Sequence, residues 1–156
     1  MTTPKNEMME VALTEAKKAY AAGEVPVGAA LFHKDGTLIA FEKNRVEELN
    51  DPTAHAEMLV IKKACTALET RYLDDYMLCV TLEPCAMCAQ AISLARVGVL
   101  IFGAYDIKSG GTTNGARVFD QKTCHHKPEL YDGILETESA RLLQTFFKEK
   151  RGVDTV

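Results

Sequence analysis

A chain of 156 residues, 47% hydrophobic and 26% charged, is long enough to bury one sizeable core and too apolar to be disordered. Its formal net charge of -4 speaks against a non-specific nucleic-acid coat protein, which is usually basic, and leaves room for a local basic face. The five cysteines are an odd number without the spacing of a disulfide framework, so a reducing cytoplasm is the expected setting, with Cys-x-x-Cys serving metal or redox chemistry.

The N-terminal residues lack the apolar stretch of a signal peptide. Residues 6–22 then place Met9, Leu13, Ala16 and Tyr20 near helical spacing and stop at Gly23, which predicts an amphipathic helix. Residues 27–33 and 38–41 read as strands flanking Lys34-Asp35-Gly36-Thr37, whose Asp-Gly pair predicts a hairpin. The polar residues 44–50 read as loop. Asp51-Pro52 suits a helix start, with Asp as cap and Pro at the first helical position, and the helix is expected over 53–68 with Met58, Leu59, Ile61 and Ala64 inward. Residues 77–81 read as a buried strand, Pro84 opens a helix running through Ala95, and residues 97–102 read as the next strand. That β-α-β order predicts parallel pairing. The longest apolar run, residues 97–105, is strand-sized and no stretch approaches a membrane span. Residues 110–127 read as irregular, and 136–151 as a helix through Ala140, Leu142, Leu143, Phe146 and Phe147. The sum is one α/β domain over 1–156, a mixed sheet with helices on both faces.

Two short motifs carry chemistry. His55-Ala56-Glu57 stands at one helix start and Pro84-Cys85-Ala86-Met87-Cys88 at the next. Cysteines three apart in a first helical turn lie on one face, and the positive end of the helix dipole favours thiolates. One imidazole and two thiolates make three ligands of the kind zinc takes. A closed structural site would take a fourth, so this set leaves one position for water. Glu57, two residues past the ligand, is placed to act as acid and base on that water. The other cysteines read otherwise: Cys65 and Cys79 fall on apolar faces as small core residues, and Cys124 carries no assigned role.

At these residues the chain resembles the cytidine deaminase superfamily, whose zinc-dependent nucleobase deaminases share His-x-Glu with Pro-Cys-x-x-Cys, and within it the bacterial tRNA adenosine deaminase branch. Glu24-Val25-Pro26-Val27-Gly28-Ala29, Asn44-Arg45, residues 51–57, residues 81–88, Phe102-Gly103-Ala104-Tyr105-Asp106-Ile107-Lys108 and residues 142–147 are similar to that branch in order and spacing, over roughly residues 11–151. The resemblance implies a three-layer α/β/α sandwich around a five-stranded mixed sheet, one zinc ion per subunit and a homodimer. The implied reaction is hydrolysis of the wobble adenosine of a tRNA anticodon to inosine, with His55, Cys85 and Cys88 as ligands and Glu57 moving the protons. It further implies that Asn44 hydrogen-bonds the flipped nucleoside, Val27 and Pro84 wall the base, and the Ala56 amide reads its edge. Asp106, Lys108, His126, Phe147 and Arg151 would meet the flanking anticodon nucleotides, as single-stranded RNA recognition requires.

The chain departs from the branch at Tyr105, where Arg is usual, at Gly110-Gly111-Thr112-Thr113-Asn114-Gly115, and at Cys124-His125-His126-Lys127. All three lie outside the expected chemistry. Two rival readings keep the same motif: a deaminase of a free base or nucleoside (guanine, cytosine or cytidine), and a structural zinc module that binds without turnover. Glu57 argues against the second. An exposed aromatic and basic C-terminus argues against the first, and a sealed pocket would restore it.

Overall fold

The structure, a computed structural model, describes residues 4–154; the first three and last two positions of the expected 1–156 domain lie outside the described residues. Helix α1 (Lys5–Ala21) leads into a hairpin of β1 (Gly28–His33) and β2 (Leu38–Lys43). There follow α2 (Val46–Leu49), α3 (Ala56–Leu68), β3 (Tyr76–Leu82), α4 (Ala86–Leu94), β4 (Val99–Ala104), a 3-10 turn (Val118–Asp120), β5 (Glu129–Tyr131) and α5 (Glu136–Asp154).

The strands form one five-stranded sheet in the order β2-β1-β3-β4-β5. β1 is antiparallel to β2 and β3, whereas β3, β4 and β5 run parallel. Side chains of the inner strands alternate between two buried clusters, as the two-residue period of a strand requires. Ala29, Leu31, Leu78, Val80, Leu100 and Phe102 join Val60 and Ala64 of α3 and Ala89 and Ile92 of α4. Ala30, Phe32, Cys79 and Ile101 meet Met8, Met9, Ala12 and Leu13 of α1 on the opposite face, where α5 packs against β4 and α1. The mixed sheet with helices on both faces stands as expected. Gly28 makes the α1 contact possible, since a Cβ there would lie 2.0 Å from the Ala12 carbonyl oxygen.

Several local expectations are corrected. The polar residues 44–50 are not all loop: Val46–Leu49 is one helical turn, capped by the Glu24 carboxylate, which accepts from the amides of Glu47 (3.0 Å) and Glu48 (2.8 Å). Asp51-Pro52 does not start α3. The Asp51 carboxylate turns back to the Thr53 amide (2.8 Å), a local bond that competes with helix capping, and α3 starts at Ala56 with His55 as its cap residue. The buried side of α3 is Ala56, Glu57, Val60 and Ala64, leaving Met58, Leu59 and Ile61 half-buried. Likewise Pro84 precedes α4 by two residues, and Cys85 is the cap residue. β4 begins at Val99 rather than Val97. The three-residue β5 supplies the fifth strand that the resemblance implies, at a place the residues do not signal because it is too short to show an alternation.

Candidate active site at the carboxyl edge of the sheet

All four expected chemical residues sit at two helix starts that converge beyond the carboxyl end of β3, with Glu57 in the first turn of α3. His55 and Cys85 are both cap residues with extended backbone (φ -70, ψ 149 and φ -71, ψ 175), and Cys88 lies in the first turn of α4. The His55 Nδ1 atom is 3.6 Å from the Cys85 Sγ and 3.5 Å from the Cys88 Sγ, and all three ligand atoms fall within 4.8 Å of one another. Zinc bonds of about 2.3 Å to sulfur and about 2.05 Å to nitrogen at a tetrahedral angle put N and S roughly 3.5–3.6 Å apart. The donor set and its nitrogen–sulfur spacing therefore fit zinc.

The protonation of the cluster is shared. Cys85 is pulled down to about 4, first by the hydrogen bond from the Cys88 thiol, then by His55 against the cost of burial. Cys88 moves the other way, pushed up by its bond to the Cys85 sulfur and by burial. His55 is raised by its bond to Cys85. Glu57, 4% exposed, has its carboxyl raised mainly by burial. A carboxylate whose ionised form is penalised in this way is a stronger base, the property a proton shuttle needs.

His55, Glu57 and Cys85 open onto a cleft of about 470 Å³. Val27 and Asn44 line it beside His55, Glu57 and Cys85, with Asp106 and Ser109 on one side and Phe146, Phe147 and Lys150 on another. Phe146 is buried at 6% exposure while Phe147 is 43% exposed, because neighbours on a helix diverge by about 100°. One aromatic thus anchors α5, edge-on to Tyr20 at 5.9 Å, and the other remains on the rim.

Not every expected site residue arrives. The Ala56 amide donates to the Asn44 Oδ1 at 2.8 Å, so it caps the start of α3 internally and is not available to read a base while that bond stands. Pro84 is directed to the Gly111 loop, its carbonyl accepting from the Gly111 amide at 2.8 Å, and it is not a lining residue of the cleft. His126 lies at the other end of β4, with Nε2 2.7 Å from the Val97 carbonyl oxygen. A chain running back toward the start of a parallel strand carries it away from the cleft. Lys108 is exposed between two lining residues, and Arg151 is exposed one residue beyond Lys150. Tyr105 packs edge-on to Phe102 at 5.4 Å and is not a lining residue of the cleft.

Sequence reasoning missed two residues. Glu24 and Glu83 both line the cleft and both are 2% exposed. Burial works to raise the Glu83 carboxyl, yet bonds from Asn114 and from the backbone amides of Asp106, Asn114 and Thr112 outweigh it and hold the group below the usual carboxylate range. Glu83 stood inside a quoted motif without a role; a carboxylate directly before a metal turn was the available signal.

Comparison with known proteins agrees with the geometry. A tRNA-specific adenosine deaminase of Agrobacterium fabrum is 52% identical over 147 residues, covering 94% of this chain and 96% of the relative. A structure solved in a study of A-to-I editing by tRNA:A34 deaminases at the wobble position superposes with a TM-score of 0.85 at 52% identity, covering 88% of this chain and 99% of that one. A guanine deaminase from Nitrosomonas europaea is more distant, with a TM-score of 0.77 at 25% identity over 94% and 85% of the two chains. Residues 2–104, which hold the hairpin and both ligand-bearing helix starts, match the cytidine and deoxycytidylate deaminase zinc-binding region, and this chain belongs to that family.

Proposed function

We propose that the chain is a zinc-dependent hydrolase that deaminates the wobble adenosine of a tRNA anticodon to inosine and releases ammonia. The observation that carries the reading is the pairing of a three-ligand cluster at zinc spacing with a buried carboxyl beside it. The 52% identity to a tRNA-specific adenosine deaminase supports the substrate. The whole of 1–156 is read as a single deaminase domain holding one zinc per subunit.

His55, Cys85 and Cys88 would hold the metal, which supplies the Lewis acidity that makes a water reactive near neutral pH. Glu57 accepts the proton of the attacking water, passes it to the purine ring nitrogen, and then assists departure of the amine as ammonia. One water is consumed and one ammonia released, so the atoms balance. Asn44 binds the nucleoside from the cleft wall and Val27 packs on the base. Asp106, Lys108, Phe147 and Arg151 are assigned to the flanking nucleotides. Phe147 offers a stacking face, which is what a splayed loop needs, and the open cleft argues against a free base as sole substrate. Half-buried Met58 and Leu59 on α3, with Leu94 69% exposed at the end of α4, support a homodimer. No helix of the described residues is long and apolar enough to cross a membrane, and a cytoplasmic setting is part of the same reading.

The test is incubation of the protein with an anticodon stem-loop carrying a wobble adenosine, followed by nucleoside analysis for inosine, with guanine, cytosine and cytidine in parallel. Inosine at the wobble position is expected. Ammonia from a free base or nucleoside with no inosine would overturn the substrate and leave the metal chemistry standing.

A further inference from the structure

Glu83 is a carboxylate buried with no basic partner among the described residues, which is costly unless its lone pairs are met. They are met entirely by amides of one loop. Its Oε2 accepts from the backbone amides of Thr112 (3.3 Å), Thr113 (3.1 Å) and Asn114 (2.9 Å). Its Oε1 accepts from the Asp106 amide (3.1 Å) and the Asn114 Nδ2 (2.7 Å). Three successive N–H groups converging on one oxygen form an anion-binding nest, here filled by the protein's own side chain.

The position of Glu83 gives the nest a purpose. Its own amide donates to the Ala104 carbonyl at 2.8 Å, fixing it where β3 and β4 end, and the next two residues are Pro84 and the ligand Cys85. The loop it gathers carries Asp106 and Ser109, which line the cleft, and Asp106 in turn accepts from the Ser109 amide at 2.9 Å. The fit leaves no slack, since a Cβ on Gly110 would lie 2.3 Å from the Glu83 Oε2. We propose that Glu83 is a positioning residue: its carboxylate gathers residues 106–114 into one conformation and so sets the substrate-facing wall of the cleft against the Cys85 turn. The inference deepens the deaminase reading and rests on it for the identity of the substrate.

Glu83→Gln tests it with near-constant shape. Whichever way the amide is turned, its NH2 faces two or three N–H donors that formerly met an acceptor. In the zinc-loaded full chain, hydrogen exchange is expected to quicken by at least about tenfold for the amides of residues 106–114, while α4 and β3 keep their protection and metal content stays at the wild-type value. With the stem-loop RNA, KM is expected to rise about 10- to 100-fold with kcat within roughly threefold. On an Asp106→Ala background the same change should add little, because both act through one loop. Should Glu83→Gln not fold, Asn114→Ala deletes a single bond of the nest and is expected to move exchange and KM in the same direction by less. Unchanged exchange across 106–114 would overturn the proposal. So would loss of metal with kcat falling at constant KM, which would place the role of Glu83 in the metal turn. A wild-type chain that makes no inosine defeats the substrate reading instead, and the exchange comparison still decides the clamp.

Discussion

The metal corner and the loop that faces it are built on opposite plans. His55 and Cys85 stand on helix caps of nearly equal backbone geometry, backed by a sheet whose inner strands are buried on both faces. Residues 105–128, by contrast, contain only a three-residue 3-10 turn and take their shape from hydrogen bonds, above all those to Glu83. A reacting centre tolerates little displacement and is placed on regular elements; recognition is carried on loops that can differ between relatives. The departures at residues 110–115 and 124–127 fall in the second region.

Five substitutions or conditions would break or sharpen that contrast. The largest effect is expected for Glu57→Ala, which should lower inosine formation by about 10³- to 10⁴-fold with zinc content and thermal unfolding little changed; a mutant within tenfold of wild type would remove Glu57 from its role. Next is the pH dependence of metal affinity. His55 and Cys88 are both raised in the metal-free chain, and each must lose its proton to ligate. Affinity should therefore climb with pH and fall on acidification, by about 10- to 100-fold per unit between pH 8 and 6, measurable by competition with a chromophoric chelator. A flat profile would mean that the ligands are preorganised in their deprotonated forms.

Phe147→Ala should raise KM for the stem-loop by about 5- to 100-fold, the range of base–aromatic stacking, with kcat nearly constant. Equal losses in kcat and kcat/KM would instead make it part of the reacting site. Gly111→Ala sits where the two regions touch: its Cβ would lie 2.4 Å from the Ala86 amide nitrogen and 2.5 Å from the Cys85 carbonyl carbon. It should destabilise the fold by about 1–3 kcal/mol through overpacking, seen as a lower Tm, with less zinc retained. The smallest effect is expected for Cys65→Ser, a half-buried thiol at the edge of the core, which should change stability by about 1 kcal/mol or less and leave zinc content untouched.

What the sequence alone could reveal follows the same division. The hairpin at Asp35-Gly36, the buried strands and the ligand-bearing helix starts are legible because each is written within a dozen residues, by alternation, by turn chemistry or by motif. The cap positions were displaced by three or four residues at α3 because Asp51 has two ways to satisfy an amide, and the sequence does not say which it takes. The Asn44 bond to the Ala56 amide spans 12 residues, and the Glu83 bonds span 23 to 31. Such links have no local signature: any buried carboxylate must find donors, but which ones is decided by the packing of the sheet. For the same reason the sequence does not show that His126 lies beside Val97, since a resemblance in order along the chain does not fix which end of β4 a loop revisits.

The contact between Tyr20 and Phe146, with the Tyr20 hydroxyl bonded to Glu149, joins the first helix to the last. Phe147, beside that joint, is one of the final ten residues of the 156. During synthesis the ligand set is complete at residue 88, whereas the wall of the cleft that α5 supplies leaves the ribosome long afterwards. A chain that stopped before Phe147 would carry every ligand yet lack that side chain on one wall of its cleft, so it would differ first in what it holds and not in its ligand set.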